Sequence, residues 1–149
     1  MHEFFIKMVD APGLIHIVGD EVPVEFSYRA RNQCDRFGKC DGFLLYETGR
    51  KHEGGIGSKC IFAKGHIKIP VKIKLSDCCV DGKKFPVAIE TIIDQTLPSG
   101  QHNNGLNIED IRKIYPNFIP GQKCGGLFPI GKEQFEALSA ELENRINKI

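Results

Sequence analysis

The chain has 149 residues, of which 41% are hydrophobic and 26% are charged, and its formal net charge is +1 at pH 7. This composition is ordinary for a globular protein and argues against a disordered chain. No apolar run approaches the roughly 20 residues that span a bilayer, and no basic segment leads into an apolar one at the N-terminus. We therefore expect a single domain over residues 1–149, in the cytoplasm, with no membrane contact.

The first predicted elements are strands. Residues 22–28 alternate in hydropathy, and residues 42–49 form a short apolar run between glycines that is typical of a buried strand. Residues 59–65 predict another strand, which continues into the strictly alternating segment 66–75. The alternation predicts one buried face, composed of Ile67, Ile69, Val71, Ile73 and Leu75. Pro70 has no N–H to donate, so this strand lies at an edge of the sheet or breaks there.

Later segments predict one more strand and two helices. Residues 85–93 are rich in β-branched side chains. Asn107 is a suitable N-cap for a helix over 108–115 that stops at Pro116. A second helix begins near Lys132, and its apolar stripe predicts packing on the sheet. The sequence thus predicts an α+β fold, a small curled β-barrel flanked by helices, with the C-terminal helix packed on the sheet.

Charge is distributed unevenly along the chain. Residues 29–74 hold 11 cations and 4 anions, a net charge of +7, whereas the remainder holds 9 cations and 15 anions, a net charge of −6. This asymmetry favours a polyanionic partner. The predicted nucleic-acid contacts are Arg29, Arg31, Asn32, Arg36, Lys39, Arg50, Lys51 and Lys59. Alternatively, the lysines at 68, 72 and 74 line the wet face of a strand.

Aromatic side chains next to cations suggest a pocket for a base. Tyr28, Phe37 and Tyr46 lie beside cations or glycines, where rings could stack on a single-stranded or flipped base. Glu47 or Asn32 could then read the edge of that base. The alternative for Tyr46 is a core position at the end of a strand, and the alternative for Phe37 is an exposed loop position or satellite packing.

Motifs for catalysis, phosphate binding and metal binding are not evident. The glycine-rich loop Gly54-Gly55-Ile56-Gly57-Ser58 has no P-loop lysine, and no nucleophile elbow or H-E-x-x-H pair occurs. Six cysteines stand at 34, 40, 60, 78, 79 and 124, without the C-x2-C pairs typical of zinc sites. We expect reduced thiols, no metal, no cofactor and no catalytic residue in this chain.

Two segments resemble the PUA-like superfamily, which includes the PUA, ASCH, EVE and YTH domains. Residues 43–48, a glycine-rich loop and residues 57–67 look like the central hairpin of those domains. Residues 106–116 and 125–130 are similar to the tail of EVE-like modules. The resemblance covers roughly 22–140 and implies a curled barrel that recognises DNA or RNA, often through a modified or flipped base. EVE-like modules serve as readers in modification-dependent restriction systems.

These observations give one leading hypothesis and two rivals. The leading hypothesis is a nucleic-acid-binding module, with DNA favoured over RNA, within a larger restriction or defence assembly. One rival is an ASCH-like RNA-binding protein or a hydrolase of a small nucleoside or amide, which predicts an enclosed pocket with a perturbed titratable group. The other is a protein-interaction accessory domain, which predicts a contiguous apolar patch.

Overall fold

The computed structural model describes residues 3–9, 18–26, 32–49, 51–52, 55–80, 83–120 and 126–149. Within these residues the chain forms nine strands and three α-helices, so the predicted α+β class is confirmed. The strands are β1 (Phe4–Val9), β2 (Glu21–Phe26), β3 (Gly42–Glu47), β4 (Lys51–His52), β5 (Gly55–Ile56), β6 (Ile61–Ile67), β7 (Ile73–Val80), β8 (Lys83–Thr96) and β9 (Leu127–Ile130). The helices are α1 (Gln33–Phe37), α2 (Ile108–Ile114) and α3 (Lys132–Asn147).

The main sheet is curled, and its strands follow the order β2-β8-β6-β3-β1-β9. β7 pairs with the first half of β8, outside this path. β3 lies near the centre, parallel to β1 and antiparallel to β6, and all six of its residues are buried. The short pair β4–β5 forms a separate hairpin within the loop between β3 and β6. The buried run predicted at 42–49 is therefore a central strand.

The predicted strand over 66–75 is wrong as a continuous element. β6 ends at Ile67 and β7 begins at Ile73, although both pair with β8. The backbone keeps contact with β8 on each side of the break, through Lys68 N–H to Glu90 O and Glu90 N–H to Lys72 O. Pro70 cannot donate a ladder hydrogen bond, which accounts for the interruption.

Burial on the two sides of this break also differs from the prediction. Ile67 is buried at 4% exposure, whereas Ile69, Val71 and Ile73 are 77%, 46% and 48% exposed. The alternating residues therefore do not form one buried face. Alternation reports a strand surface only while the pleat continues, and here it does not.

The helices follow the sequence prediction closely. Asn107 caps α2, accepting from the Asp110 N–H while the Asp110 carboxylate accepts from the Asn107 N–H. This reciprocal capping box places the start of the helix at the residue after Asn107. In α3, Phe135, Leu138 and Leu142 are buried, so the predicted stripe packs on the sheet. Among the described residues, no helix has the length and apolar character needed to cross a membrane.

The buried hydrophobic side chains form one cluster that includes both sides of β3. Phe43 packs against Phe37 of α1, with ring centroids 5.0 Å apart. Tyr46 packs edge to face against Phe118, with centroids 5.3 Å apart. β3 is thus held by aromatic contacts at both its start and its end.

Candidate functional site

Three of the predicted contact cations lie at two separate places. Arg36 is in α1, and Lys39 follows it shortly before β3 begins, whereas Lys59 lies in the loop that follows β3. β3 has six residues and so spans about 20 Å. Arg36 and Lys39 therefore lie at the opposite end of β3 from Lys59, so these three predicted contact residues do not form one cluster.

The individual environments of these residues differ. Asn32, Arg36, Lys39 and Lys59 are all exposed. Arg36 forms an ion pair with Glu3 at 3.1 Å and lies 5.1 Å from the Phe5 ring centroid. Its charge is therefore partly engaged within the protein. Arg29, Arg31, Arg50 and Tyr28 lie outside the described residues, and for Lys51 only the backbone is described.

Two of the predicted stacking residues belong to the core. Phe37 is 0% exposed and its ring contacts Phe5, Phe26 and Phe43. Tyr46 is 2% exposed, and burial raises the pKa of its hydroxyl to about 12. Neither ring presents a face to a ligand, so their assignment to a base pocket is wrong. Their positions inside the apolar face of α1 and in the central strand account for the difference.

Glu47 does not point into an open pocket either. Its carboxylate is buried and lies at the centre of a cluster of polar side chains. Its side chain is 3% exposed. Oε1 accepts from the Ser58 backbone N–H at 2.8 Å, and Oε2 lies 2.8 Å from His102 Nδ1. We refer to Glu47, Ser58, Cys60 and His102 as the carboxylate cluster. It joins the end of β3, the start of β6 and a 3-10 turn at His102–Asn104.

The loop after β3 has a local geometry that brings Ser58 to Glu47. A Cβ added at Gly57 would lie 1.5 Å from the Thr48 carbonyl oxygen, so only glycine allows the chain to return this close. Lys59 then adopts a left-handed conformation, with φ at 57°. Such conformations are uncommon for residues other than glycine. Because the Lys59 side chain passes over Gly49, its aliphatic part is held while the residue remains exposed.

The His102 ring is held from two directions. Phe62 stacks on it with centroids 4.1 Å apart and an interplanar angle of 17°. The 3-10 turn is joined to β6 by two backbone hydrogen bonds between Ile61 and Leu106, of 2.8 and 3.0 Å. A Cβ at Gly105 would meet the Ile61 carbonyl oxygen at 2.0 Å, so this contact also requires glycine. The imidazole is thus fixed against β6 as well as against Glu47.

One polar atom of the carboxylate cluster, His102 Nε2, is buried and makes no hydrogen bond among the described residues. The Ser58 side chain interacts with the Glu47 carboxylate and the Cys60 thiol. A buried polar atom without a partner costs about 1–3 kcal/mol. The cluster is therefore organised at its carboxylate and unsatisfied at His102 Nε2.

Protonation in the cluster follows from these contacts. Burial opposes ionisation of Glu47, but the hydrogen bonds from His102 and Ser58 outweigh it, so the pKa of this carboxyl is lowered. Burial raises the pKa of the Cys60 thiol. Cys60 therefore remains a thiol at neutral pH and donates to the Ser58 carbonyl oxygen over 3.4 Å. A protonated buried thiol is a poor nucleophile.

An open pocket lies beside the 3-10 turn. Its volume is about 570 Å³, and it is lined by Gln101, Asn103, Asn104, Arg145, Lys148 and Ile149. Arg145 is engaged by Asp110 at 3.1 Å and by the Gly105 carbonyl oxygen at 2.9 Å. Lys148 is exposed. Among the described residues, no group of three His, Cys, Asp or Glu side chains is arranged to hold a metal ion.

Sequence reasoning missed His102 and the hydroxyl of Ser58. His102 is 55 residues from Glu47 along the chain and belongs to a short polar turn without a recognisable motif. The one available signal is the glycine at 57, whose need for a close backbone approach would place Ser58 near the end of β3. No known protein family, curated protein or solved structure matches this chain at a significant level.

Proposed function

We propose that this chain is a nucleic-acid-binding module, with DNA as the expected ligand. The observation that carries the proposal is the net charge of +7 over residues 29–74, against −6 for the remainder. Glu47 is one of the four anions in that section, and it is buried and bonded within the protein. By contrast Lys39, Lys59 and Lys72 are exposed. A surface with more free cations than anions attracts a phosphate backbone.

The position of the cations suggests how long the ligand must be. Lys39 and Lys59 lie at opposite ends of β3, about 20 Å apart along the strand. At about 3.4 Å per nucleotide of a duplex strand, this distance corresponds to about six nucleotides. In this proposal, oligonucleotides shorter than this length reach one end of β3 only. Longer ligands engage both ends.

The proposal extends to the PUA-like relationship and to a reader role in a restriction or defence system. The curled sheet with a C-terminal helix packed on it supports a PUA-like architecture. With Phe37 and Tyr46 in the core, the remaining aromatic candidate for stacking is Tyr28, which lies outside the described residues. Recognition of a modified base would be tested with methylated and unmodified duplexes of the same sequence.

Salt-dependent binding tests the central proposal. Fluorescence anisotropy with a labelled 12-mer duplex, its single strands and the RNA equivalent would give log Kd against log salt concentration. We expect Lys59→Gln and Lys39→Gln each to reduce the slope by about 1, because each removes one phosphate contact. Lys113→Gln is the matched control, since Lys113 is exposed on α2 in the acidic remainder. A flat response of the wild type between 50 and 200 mM salt, roughly the range over which phosphate contacts are lost, would overturn the proposal.

The carboxylate cluster favours a second candidate, the hydrolase of a small nucleoside or amide. A buried histidine oriented by a carboxylate, with no partner for its other nitrogen among the described residues, is the arrangement of a general base. Chromatography of nucleosides and their amides incubated with the protein would detect turnover. Turnover that is lost in His102→Gln and kept in His66→Gln would favour this candidate over a binding module, because His66 is a half-buried histidine outside the carboxylate cluster, paired with Asp94 at 2.8 Å.

A further inference from the structure

Residues 69–71 form a bulge between β6 and β7 that is fixed at both of its ends, and we call it the apolar bulge. Lys68 N–H donates to the Glu90 carbonyl oxygen over 3.1 Å, and Glu90 N–H donates to the Lys72 carbonyl oxygen over 3.3 Å. Both backbone groups of one residue in β8 therefore hold the chain, and the three residues between these hydrogen bonds are left out of the ladder. The Lys68 ammonium also forms an ion pair with Glu21 of β2 at 2.7 Å. The apolar bulge thus stands on a fixed base.

The side chains of the apolar bulge lie at the surface. Ile69, Pro70 and Val71 are exposed, and so is Ile73 at the start of β7. Exposed apolar residues that are scattered singly are normal, whereas a run of them indicates an interaction site. Because the base of the bulge is fixed, these side chains stay exposed until a ligand covers them.

Two exposed cations lie next to the apolar bulge. Lys72 follows it directly in the chain, and Lys39 is brought to it by the fold. β6 runs antiparallel to β3, so the end of β6 lies beside the start of β3. A Cβ added at Gly38 would lie 3.4 Å from Cγ1 of Val71, and Lys39 and Lys72 are the residues that follow these two. The charge at this surface therefore favours a ligand that is anionic beside its apolar part.

We infer that the apolar bulge is a wedge that enters a base-pair step of duplex DNA, with Lys39 and Lys72 at the phosphates beside it. This inference rests on the proposed nucleic-acid-binding function and states how the chain holds its ligand. Isoleucine and proline are among the side chains that proteins insert between base pairs, where they unstack the step and kink the duplex. Unstacking costs free energy, so a wedge whose base is already ordered is suited to it. Steps that unstack easily, such as TA, are the expected sites.

The experiment measures unstacking and affinity in one titration. Two duplexes of equal length carry 2-aminopurine, a base whose fluorescence rises when it is unstacked, either in a single TA step or within a stiff A-tract. We expect the wild type to raise the fluorescence of the TA duplex and to bind it about tenfold more tightly than the A-tract duplex. The salt dependence of binding is measured with the same duplexes.

Two variants separate the wedge from the phosphate contacts. Ile69→Ala shortens the wedge, so we expect about tenfold weaker binding to the TA duplex, no rise in fluorescence and an unchanged salt slope. Lys72→Gln should reduce the salt slope by about 1 and keep the rise in fluorescence. Ile119→Ala is the matched control, because Ile119 is also exposed, at 52%, but lies between α2 and β9 in the acidic remainder. Urea denaturation checks that all three variants are folded.

The outcomes distinguish this inference from the proposed function. If the duplexes bind with a salt slope but the TA fluorescence stays constant, or if Ile69→Ala binds as tightly as the wild type, the inference is wrong and the proposed function stands. If neither duplex binds, both are wrong. Binding to phosphatidylcholine vesicles that contain phosphatidylserine, weakened by Ile69→Ala while duplex binding is not, would assign the apolar bulge to a membrane surface and overturn the inference.

Discussion

The two ends of β6 show opposite relations between hydropathy and burial. At the start of β6, the polar residues Glu47 and His102 lie close together and are 2% and 4% exposed. After β6, the apolar residues Ile69 and Val71 are 77% and 46% exposed. The difference shows that burial depends on which segments pack on a position. At the start of β6, Gly57 allows two backbone segments to approach closely, and the polar side chains are enclosed. At the end of β6, the hydrogen-bond ladder with β8 is interrupted, and the apolar side chains stay exposed.

The largest expected effect is a loss of stability on substitution of Gly57, the glycine that brings Ser58 close to Glu47. In Gly57→Ala the new Cβ would lie 1.5 Å from the Thr48 carbonyl oxygen, so the backbone must move and the contact of Ser58 with Glu47 is lost. We expect the free energy of unfolding to fall by about 3 kcal/mol or more, measured by urea denaturation. Gly131→Ala is the control, because the nearest atom to its Cβ would be Gln134 Oε1 at 3.7 Å. Equal unfolding midpoints for the two variants would contradict the close approach.

The next effect compares two isoleucines on either side of the break. Ile67→Ala removes a buried side chain from the core and should cost about 3 kcal/mol. Ile69→Ala, two residues later in the same alternating pattern, removes a side chain that is 77% exposed and should cost less than about 0.5 kcal/mol. Similar losses for both variants would mean that the alternating face is buried after all.

A smaller effect on stability is expected from the titration of Glu47, at the start of β6. The pKa of Glu47 is lowered in the folded protein from its ordinary value of 4.5. Its contribution to stability is therefore fully present above pH 4.5 and is lost as the pH falls through the folded-state pKa. We expect Glu47→Gln to remove this part of the acid dependence, measured as the unfolding free energy between about pH 6 and pH 3. Glu133→Gln, which removes an exposed carboxylate, should retain it, and an unchanged slope in Glu47→Gln would contradict the lowered pKa of Glu47.

Local signals in the sequence predicted the elements that depend on local physics. The Asn107 cap and the apolar stripe of α3 are short-range patterns, and both are confirmed. β1 was not predicted, because a run of Phe4, Phe5 and Ile6 followed by Lys7 shows no period of two. It becomes a strand by parallel pairing with β3, which is a long-range contact. For the same reason the partnership of Glu47 with His102 could not be read from the sequence.

The exposure of two predicted contact residues agrees with the sequence prediction, but their arrangement could not be predicted. Lys39 and Lys59 are both at the surface, as contacts to a ligand require. A core position was the open alternative for Tyr46, and it is what the structure has, whereas the core position of Phe37 was not expected. The separation of the cations along β3 required the topology, since a sequence does not state which ends of its strands meet.

The pairing of β1 has a consequence for how the chain acquires its structure during synthesis. β1 lies between β3 and β9, and Phe4 pairs with Ile130. β1 therefore keeps one edge open until β9 has been made. An unpaired edge can recruit another strand, which is a hazard for a nascent protein. Lys7, near the middle of β1, is a charge of the kind that makes such mispairing unfavourable before β9 arrives.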